Sequence, residues 1–580
     1  MKKVIVAIDF GTSGTTYAFA FNDSKDDIIN AKWPDSPDFK NSTEIILNEK
    51  METIKFGNEC QQYLGELSSS DEKFYHFTDI KMKLYDKKTK IKATNDDIVL
   101  DIEIIISKIL IFIKKEALKE IQSIRPDIKE NEINWKVTVP AIWDNNSKEI
   151  MKKASIISGI FSEPLTFFAL EPEAAACDYV SEKTSDKEAI KVGNKYIICD
   201  IGGGTVDIST HIRIKKGNNN EIEEIYPPCG GNHGSTYINK AFIEKVIKQI
   251  FGKDSIEKLN DIMDNPQLDK DLYIDYCILL EEIENFKINI KNQNLTKRGN
   301  NEAKRINCTL FENLVETDVK TLIDDYNKNC PIGWKITENS HYKIYFPYQI
   351  MIDLTKEIII DNVIKNLKKI LKHIPDIKSI IYAGSVSSND FIISMFKENI
   401  PNVNHCRSAY PSIAVAKGTV IFGFDPYIIK SRVSKFTIGV NASCKWNESL
   451  YGKRNDLKYF DKIENGYYCK NVFCPIILKN QKVGINEIIS KEYKLSSSKN
   501  IVKFYKTKYN NVIFIDEKLT KTSKNILMQF GELCLDVGNS FDINKRDIVI
   551  ELYLGGTFID AKIKYKNIEK NGAFDFAKEE

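Results

Sequence analysis

Asp200 ends the apolar run Tyr196–Cys199. After Ile201 come three glycines, Gly202, Gly203 and Gly204, and then Thr205-Val206-Asp207-Ile208-Ser209, which alternates polar and apolar residues. That order predicts a strand, a tight turn and a second strand, with glycines where the backbone must take positive φ or approach a ligand closely. A dinucleotide fingerprint or a P-loop would have its glycines open a helix and would carry G-x-G-x-x-G or a Gly-Lys-Ser/Thr pair. Here a hairpin tip offers backbone N–H groups to phosphate oxygens, and Asp200 and Asp207 are hard oxygen ligands suited to Mg²⁺. The design recurs near the start: Val4–Ile8 is apolar, Asp9 ends it, Phe10-Gly11-Thr12-Ser13-Gly14-Thr15-Thr16 turns, and Tyr17–Phe21 resumes as strand. Either hairpin alone reads as well as an ordinary glycine-rich turn. Two of them predict a duplicated lobe, each copy holding one side of a phosphate chain.

With K-V-T-V-P-A at Lys136–Ala141 and L-E-P-E-A-A-A at Leu170–Ala176, the hairpins resemble the phosphate motifs of the actin, sugar-kinase and heat shock 70 kDa ATPase superfamily. The likeness is strongest to the heat shock 70 kDa family, in particular its divergent 12A-like branch, over about the first three quarters of the chain. It implies an α/β, actin-like (ribonuclease H-like) two-lobed ATPase domain closing on Mg-ATP, followed by a C-terminal all-β, sandwich-like domain without a helical lid. The expected divisions are 1–190 for lobe I, with an inserted subdomain at about 22–130, and 191–428 for lobe II, with a mostly helical insert at about 235–345. Residues 429–580 form the β domain, resembling a lidless substrate-binding domain.

The resemblance also assigns roles. Asp9 and Asp200 would hold Mg²⁺ and its waters, while Gly11, Thr12, Ser13, Gly14 and Gly202, Gly203, Gly204, Thr205 bind the phosphates of ATP or ADP. Lys81, in Phe77–Leu84, would reach the γ-phosphate, with Lys83 as the rival, and Glu171 with Asp207 would orient water. Glu171 and its neighbour Glu173 otherwise read as capping acids at the start of a helix that has Pro172 in its first turn. Either Gly230-Gly231 or Gly234-Ser235 would approach phosphate from the second lobe. Glu284 and Lys287, on a charged helix face, and Gly384 and Ser385 would meet the adenosine. Two departures stand out: Ser387 replaces an arginine that stacks on adenine, a loss of about 1 kcal/mol, and Ser412 replaces an aspartate, so base preference is open.

The intervening patterns predict the elements that must carry these groups. Asp101–Ile121 has helical periodicity, Trp135–Val139 reads as strand, and Asp144 to Ser147 caps a helix that ends at Gly159. A helix is expected over Ile238–Phe251, then helical insert material over Lys253–Tyr345 with a polar loop at Asn292–Asn301. A helix over Leu354–His373, a strand over Ile377–Tyr382 and a closing helix around Pro411–Gly418 follow. From roughly Ser431, short alternating runs take over: Val512–Ile515, Leu527–Val537, Ile548–Leu554 and Thr557–Tyr565, the last two joined by Gly555-Gly556. About fifteen residues follow, too few for a helical bundle, and the acidic, leucine-rich linker of chaperones is not recognisable around Gly423 to Lys435.

With 83 basic and 81 acidic residues the chain advertises neither nucleic acid nor an anionic membrane. Asp9 interrupts the first apolar run too early for a signal peptide, and no run approaches the ~18 residues of a membrane span. The 12 cysteines lack any C-x-x-C pair, which suits reduced thiols in a cytoplasmic protein, and His233 reads as a loop residue with no ligand-spaced partner. These features point to an ATP-binding, slowly ATP-hydrolysing, chaperone-like protein that contacts extended polypeptide or a protein partner through its β domain. The alternatives are a nucleotide-binding pseudo-ATPase scaffold, a small-molecule kinase of the same superfamily, and an actin-like filament former.

Overall fold

Every residue of Val4–Asp9 is buried, which is why its sequence is a continuous apolar run rather than an alternation. The computed structural model describes residues 2–33, 39–66, 73–161, 167–181, 189–216, 219–265, 268–291, 303–340, 342–485, 487–516, 526–553 and 560–573. Within it Val4–Asp9 lies between Ile133–Val139, which is parallel to it, and Gly14–Phe21, which is antiparallel. Phe168–Leu170 and Ser24–Asn30 complete the order on either side.

The second sheet repeats the arrangement in the order Asn404–Arg407, Ile377–Ala383, Lys195–Ile201, Val206–Lys216, Asn219–Gly231. In both sheets the first hairpin strand pairs in parallel with one later strand, which in turn pairs in parallel with another, so each glycine turn lies at the same end of its lobe. This is the two-lobed actin-like α/β fold.

Strands buried on both faces need helices on both sides. Ile102–Ile124 covers the first sheet with Ile105, Ile109, Ile113 and Ala117. Its other face, at Ile5, Ala7, Ala18 and Ala20, packs on Ala416 and Val420 of the helix Ala414–Phe424. That helix also meets Glu171–Ser181, whose alanines pack on Tyr196 and Ile198 of the second sheet. The two helices therefore lie at the junction of the lobes. They approach so closely at Gly418 that a Cβ there would stand 1.7 Å from the Ala174 carbonyl oxygen.

Several expectations need amending. The helix predicted over Leu354–His373 begins at Tyr348 and passes through a π turn at Lys356–Ile360, and the one predicted from Ile238 begins at Thr236 and has its own π turn at Ile243–Ile247. The insert carries an antiparallel sheet of Ala303–Asn307, Thr337–Ser340 and Lys343–Pro347 beside its helices.

The C-terminal region has a five-stranded and a four-stranded sheet that share one apolar core. Val512–Ile515 is not a strand there, making only a bridge from Phe514 to Val472. Asp547–Tyr553 and Asp560–Tyr565 pair as expected, and a further strand, Ile568–Ala573, follows. Gly555-Gly556 lies outside the described residues, as does the polar loop at Asn292–Asn301. Where no linker was recognised, Ile429–Val433 forms a strand parallel to Asn219–Gly231, and Lys482–Gly484 adds to its outer edge. The sheet of the second lobe thus contains chain from the C-terminal third. Among the described residues no helix is long and apolar enough to cross a membrane.

Replacing Gly418 by Ala tests the junction. Helix propensity alone would favour alanine by about 1 kcal/mol, but the added methyl must force backbone apart, at about 1–3 kcal/mol. A urea titration should show a lower midpoint at unchanged slope. A midpoint equal to or above the wild type would refute the close crossing.

Candidate functional site

The two glycine turns meet tip to tip. In the second turn the Gly202 amide donates to the Thr205 carbonyl oxygen over 2.9 Å. A Cβ on Gly203 would fall 2.4 Å from Ser13 Oγ, and one on Gly204 2.4 Å from Thr12 Oγ1, so the first hairpin's hydroxyls occupy the space that side chains would need. Behind the turn the Gly234 amide donates to Gly204 O at 3.1 Å and the Thr236 amide to Gly203 O at 2.9 Å. A third turn closes the site at Gly384 (φ 83°), where a Cβ would lie 2.5 Å from Asp200 Oδ1. A larger residue would have to displace that carboxylate.

Asp9, Gly11, Thr12, Ser13, Gly14, Lys40, Lys81, Glu171, Asp200, Gly202, Gly203, Gly204, Thr205, Gly384 and Ser385 line one narrow cleft of about 40 Å³. That volume takes water-sized groups, not a triphosphate chain, so a larger ligand requires the tips to part. Through Lys40, Ser385 and Ser412 the cleft continues into a cavity of about 780 Å³, whose walls include Ile238, Glu284, Lys287, Val386 and Asn389. Cavities of this size hold small organic ligands.

The cleft is crowded with acid. Lys81 Nζ stands 2.6 Å from Glu171 Oε1, and both side chains are buried. Lys40 Nζ lies 2.8 Å from Asp9 Oδ2, and Thr138 Oγ1 donates to Asp9 Oδ1 at 3.0 Å. Burial opposes ionisation of Asp9, yet Lys40 and Lys81 hold it below the usual carboxylate range. Asp200 is pushed up to about 7 by burial and by its neighbours Asp207 and Asp9. Burial, opposed by Lys81 and reinforced by Asp207, Asp9 and Asp200, pushes Glu171 up to about 8.

Asp207 sits just behind the cleft. Its Oδ1 accepts from the Ile142 amide at 3.1 Å, and its buried Oδ2 has no hydrogen-bond partner. Burial raises its pKa as well. Four buried carboxylates therefore face the two ammonium groups of Lys40 and Lys81. Among the described residues no three His, Cys, Asp or Glu side chains converge as a ready metal cage. A cation that keeps most of its water, bound by one or two carboxylates and by ligand phosphates as Mg²⁺ is, fits this donor set better than a fully ligated ion.

The expected residues divide by position. Lys81 lines the cleft, whereas its rival Lys83 does not. Glu173 turns away and is held by Arg432 at 2.7 and 2.8 Å. Gly230 and Gly231 belong to the strand Asn219–Gly231, opposite Asp207 and Val206, and do not reach the cleft. Gly234 and Ser235 are the pair packed on the glycine turn, and Ser235 lines the larger cavity. Lys287 Nζ pairs with Glu284 Oε2 at 2.6 Å and reaches Ser235 O at 3.3 Å. Ser387 is fully buried and donates to Ala383 O, so the wall at this place is formed by its neighbours Val386 and Ser388.

Sequence reasoning missed Lys40, Thr138 and Thr236. Lys40 sits in a polar stretch without a motif, and Thr138 reads as an ordinary strand residue. The Gly-Ser-Thr run at Gly234 pointed toward Thr236.

The chain is also similar to known proteins. Residues 59–330 match the family model described as Hsp70 protein. The chain is 25% identical to mouse heat shock 70 kDa protein 12A over 96% of its own length and 89% of that protein's. It is 22% identical to human heat shock 70 kDa protein 12B over 85% and 78%. The chaperone protein DnaK of Mesomycoplasma hyopneumoniae (strain 232) is 25% identical over 73% of this chain and 58% of that protein.

The raised acids set the sign of a pH effect. Between the ordinary carboxylate range near 4 and the folded values of about 7 and 8, the folded state binds more protons than the unfolded one. The ligand-free protein therefore loses stability as pH rises through that window. Asp200→Asn should melt later than wild type at pH 8.5, by the equivalent of roughly 2 kcal/mol, and nearly with it at pH 5. Equal destabilisation at both pH values would contradict the reading of Asp200.

Proposed function

We propose that this chain, a relative of the heat shock 70 kDa proteins, binds Mg-ATP or Mg-ADP between its lobes and hydrolyses ATP slowly. The observation that carries this reading is the convergence of two duplicated glycine turns, Asp9, Asp200 and Lys81 on one cleft that opens into the larger cavity. Bound Mg²⁺ would supply the positive charge that this acidic cleft lacks. Thr12, Ser13 and the amides of Gly202 to Thr205 would bind phosphate oxygens, and Asp9 and Asp200 would hold Mg²⁺ and its waters. Lys81 transfers its charge from Glu171 to the terminal phosphate. Glu171 and the unpartnered Oδ2 of Asp207 then orient the attacking water. Glu284, Lys287 and Ser385 hold the nucleoside, with a loose grip on the base.

The touching tips support a nucleotide-linked opening and closing of the lobes. The C-terminal region would feel that motion directly. Lys435 Nζ donates to Ala141 O at 2.9 Å, one residue before the amide that holds Asp207. Arg432 grips Glu173, two residues beyond Glu171. Exposed Phe460, Tyr467 and Ile501 on the β sheets offer apolar surface for an extended polypeptide or a protein partner. The short Lys81–Glu171 pair in a tight cleft favours one alternative, a scaffold that keeps ATP without turning it over.

Thermal melting with and without Mg-ATP tests the binding. At about a hundredfold Kd the nucleotide should add roughly 2.7 kcal/mol, and Asp200→Ala should remove most of the shift. Absence of any shift would reject nucleotide binding. Single-turnover phosphate release then separates a slow ATPase from a scaffold.

A further inference from the structure

Cys444 and Cys474 lie on adjacent antiparallel strands, Thr437–Lys445 and Gly466–Ile477, of the five-stranded C-terminal sheet. Their register slips between Ala442 and Cys444, beside Asn471 with its φ of 60°. Such a bulge bends and twists a strand, and here the two sulfurs come to 3.1 Å. A disulfide needs them only about 1 Å closer. Both residues are half-buried rather than sealed in the core. By contrast, burial raises the fully buried Cys177, Cys199 and Cys308 thiols above their ordinary range.

We propose that Cys444 and Cys474 form a reversible oxidation site that closes to a disulfide with hydrogen peroxide. The Cys444 sulfur attacks one peroxide oxygen and the O–O bond breaks. Hydroxide leaves and takes up the thiol proton as water, and Cys444 is left as sulfenic acid. The Cys474 sulfur then attacks that sulfur, the S–O bond breaks, and a second water leaves with the Cys474 proton. Two thiols and one peroxide give one disulfide and two waters, the sulfur pair losing two electrons.

The surroundings suit Cys444 as the attacking group. The neighbouring Cys474 thiol, with the Tyr451 hydroxyl and the Lys491 ammonium, holds Cys444 down to about 7 against burial. Cys474 is pushed up by the Cys444 sulfur beside it and by burial. Lys491 comes from the neighbouring sheet, where Tyr493 also faces both thiols. Cys469 stands opposite Cys444 in the ladder but is fully buried.

The test is peroxide treatment of the full folded chain near one equivalent, followed by alkylation and peptide mass mapping. The expected product is a Cys444–Cys474 cross-linked peptide, two hydrogens lighter than the paired thiols and restored by dithiothreitol. It should form at least tenfold faster in the folded protein than in urea. With Cys474→Ser, dimedone should trap sulfenic acid at Cys444. If the serine variant folds poorly, the comparison of folded and urea-treated wild type decides alone. Two free, alkylatable thiols at these positions while the exposed Cys534 oxidises, or a disulfide through Cys469, would overturn the proposal.

Discussion

An excess of buried acid is the constraint on which this molecule is built. Asp9, Glu171, Asp200 and Asp207 are buried at the meeting point of the lobes, with Lys40 and Lys81 in the cleft and Lys435 behind Asp207. Isolated buried charge is expensive, and breaking a buried pair is worse than never forming it. The folded chain answers in two ways: Lys40 pairs with Asp9, and Asp200 and Glu171 hold their protons into the neutral range, Glu171 still accepting a hydrogen bond from Lys81. The rest of the architecture positions these groups. The hairpins bring Asp9 and Asp200 to their tips, the first turn of Glu171–Ser181 presents its acid, and the contact at Gly418 fixes that helix against its partner. Buried acids that hold their protons into the neutral range are groups that a nearby cation would ionise.

The two ends of the groove differ in how they hold a ligand. The narrow end is built from backbone at close quarters, where a single Cβ on Gly203, Gly204 or Gly384 would collide. The wider end is lined by side chains, with the Glu284–Lys287 pair as its most fixed feature. Arg407, in the neighbouring strand, is engaged with Asp390 and the carbonyls of Ser387 and Ser388. In the proposed nucleotide-bound form, recognition would therefore rest mainly on the phosphates.

The hairpins were legible because both strand periodicity and glycine placement are local, and those two signals carried the lobe duplication with them. The long helix at Ile102–Ile124 and the strand Ile377–Ala383 were legible for the same reason. What escaped depends on tertiary pairing. Ile429–Val433 lacks a distinctive pattern and becomes a strand because the edge of the second sheet is open to it. Lys40 reaches Asp9 from a segment with no motif, and only the fold shows the distance. The choice between Gly230-Gly231 and Gly234-Ser235 also could not be made from spacing, because the strand Asn219–Gly231 absorbs the first pair. Ser387 was aligned with a ligand-stacking position, yet its backbone turns it into the interior.

Calorimetric titration of the full chain with Mg-ADP at pH 7.5, in two buffers of different ionisation enthalpy, bears most directly on the excess of buried acid. The apparent enthalpies should differ by an amount equal to the release of roughly one proton per nucleotide bound, drawn from Asp200 and Glu171. Binding with the same enthalpy in both buffers would mean that those carboxylates were already ionised, and the account would be wrong.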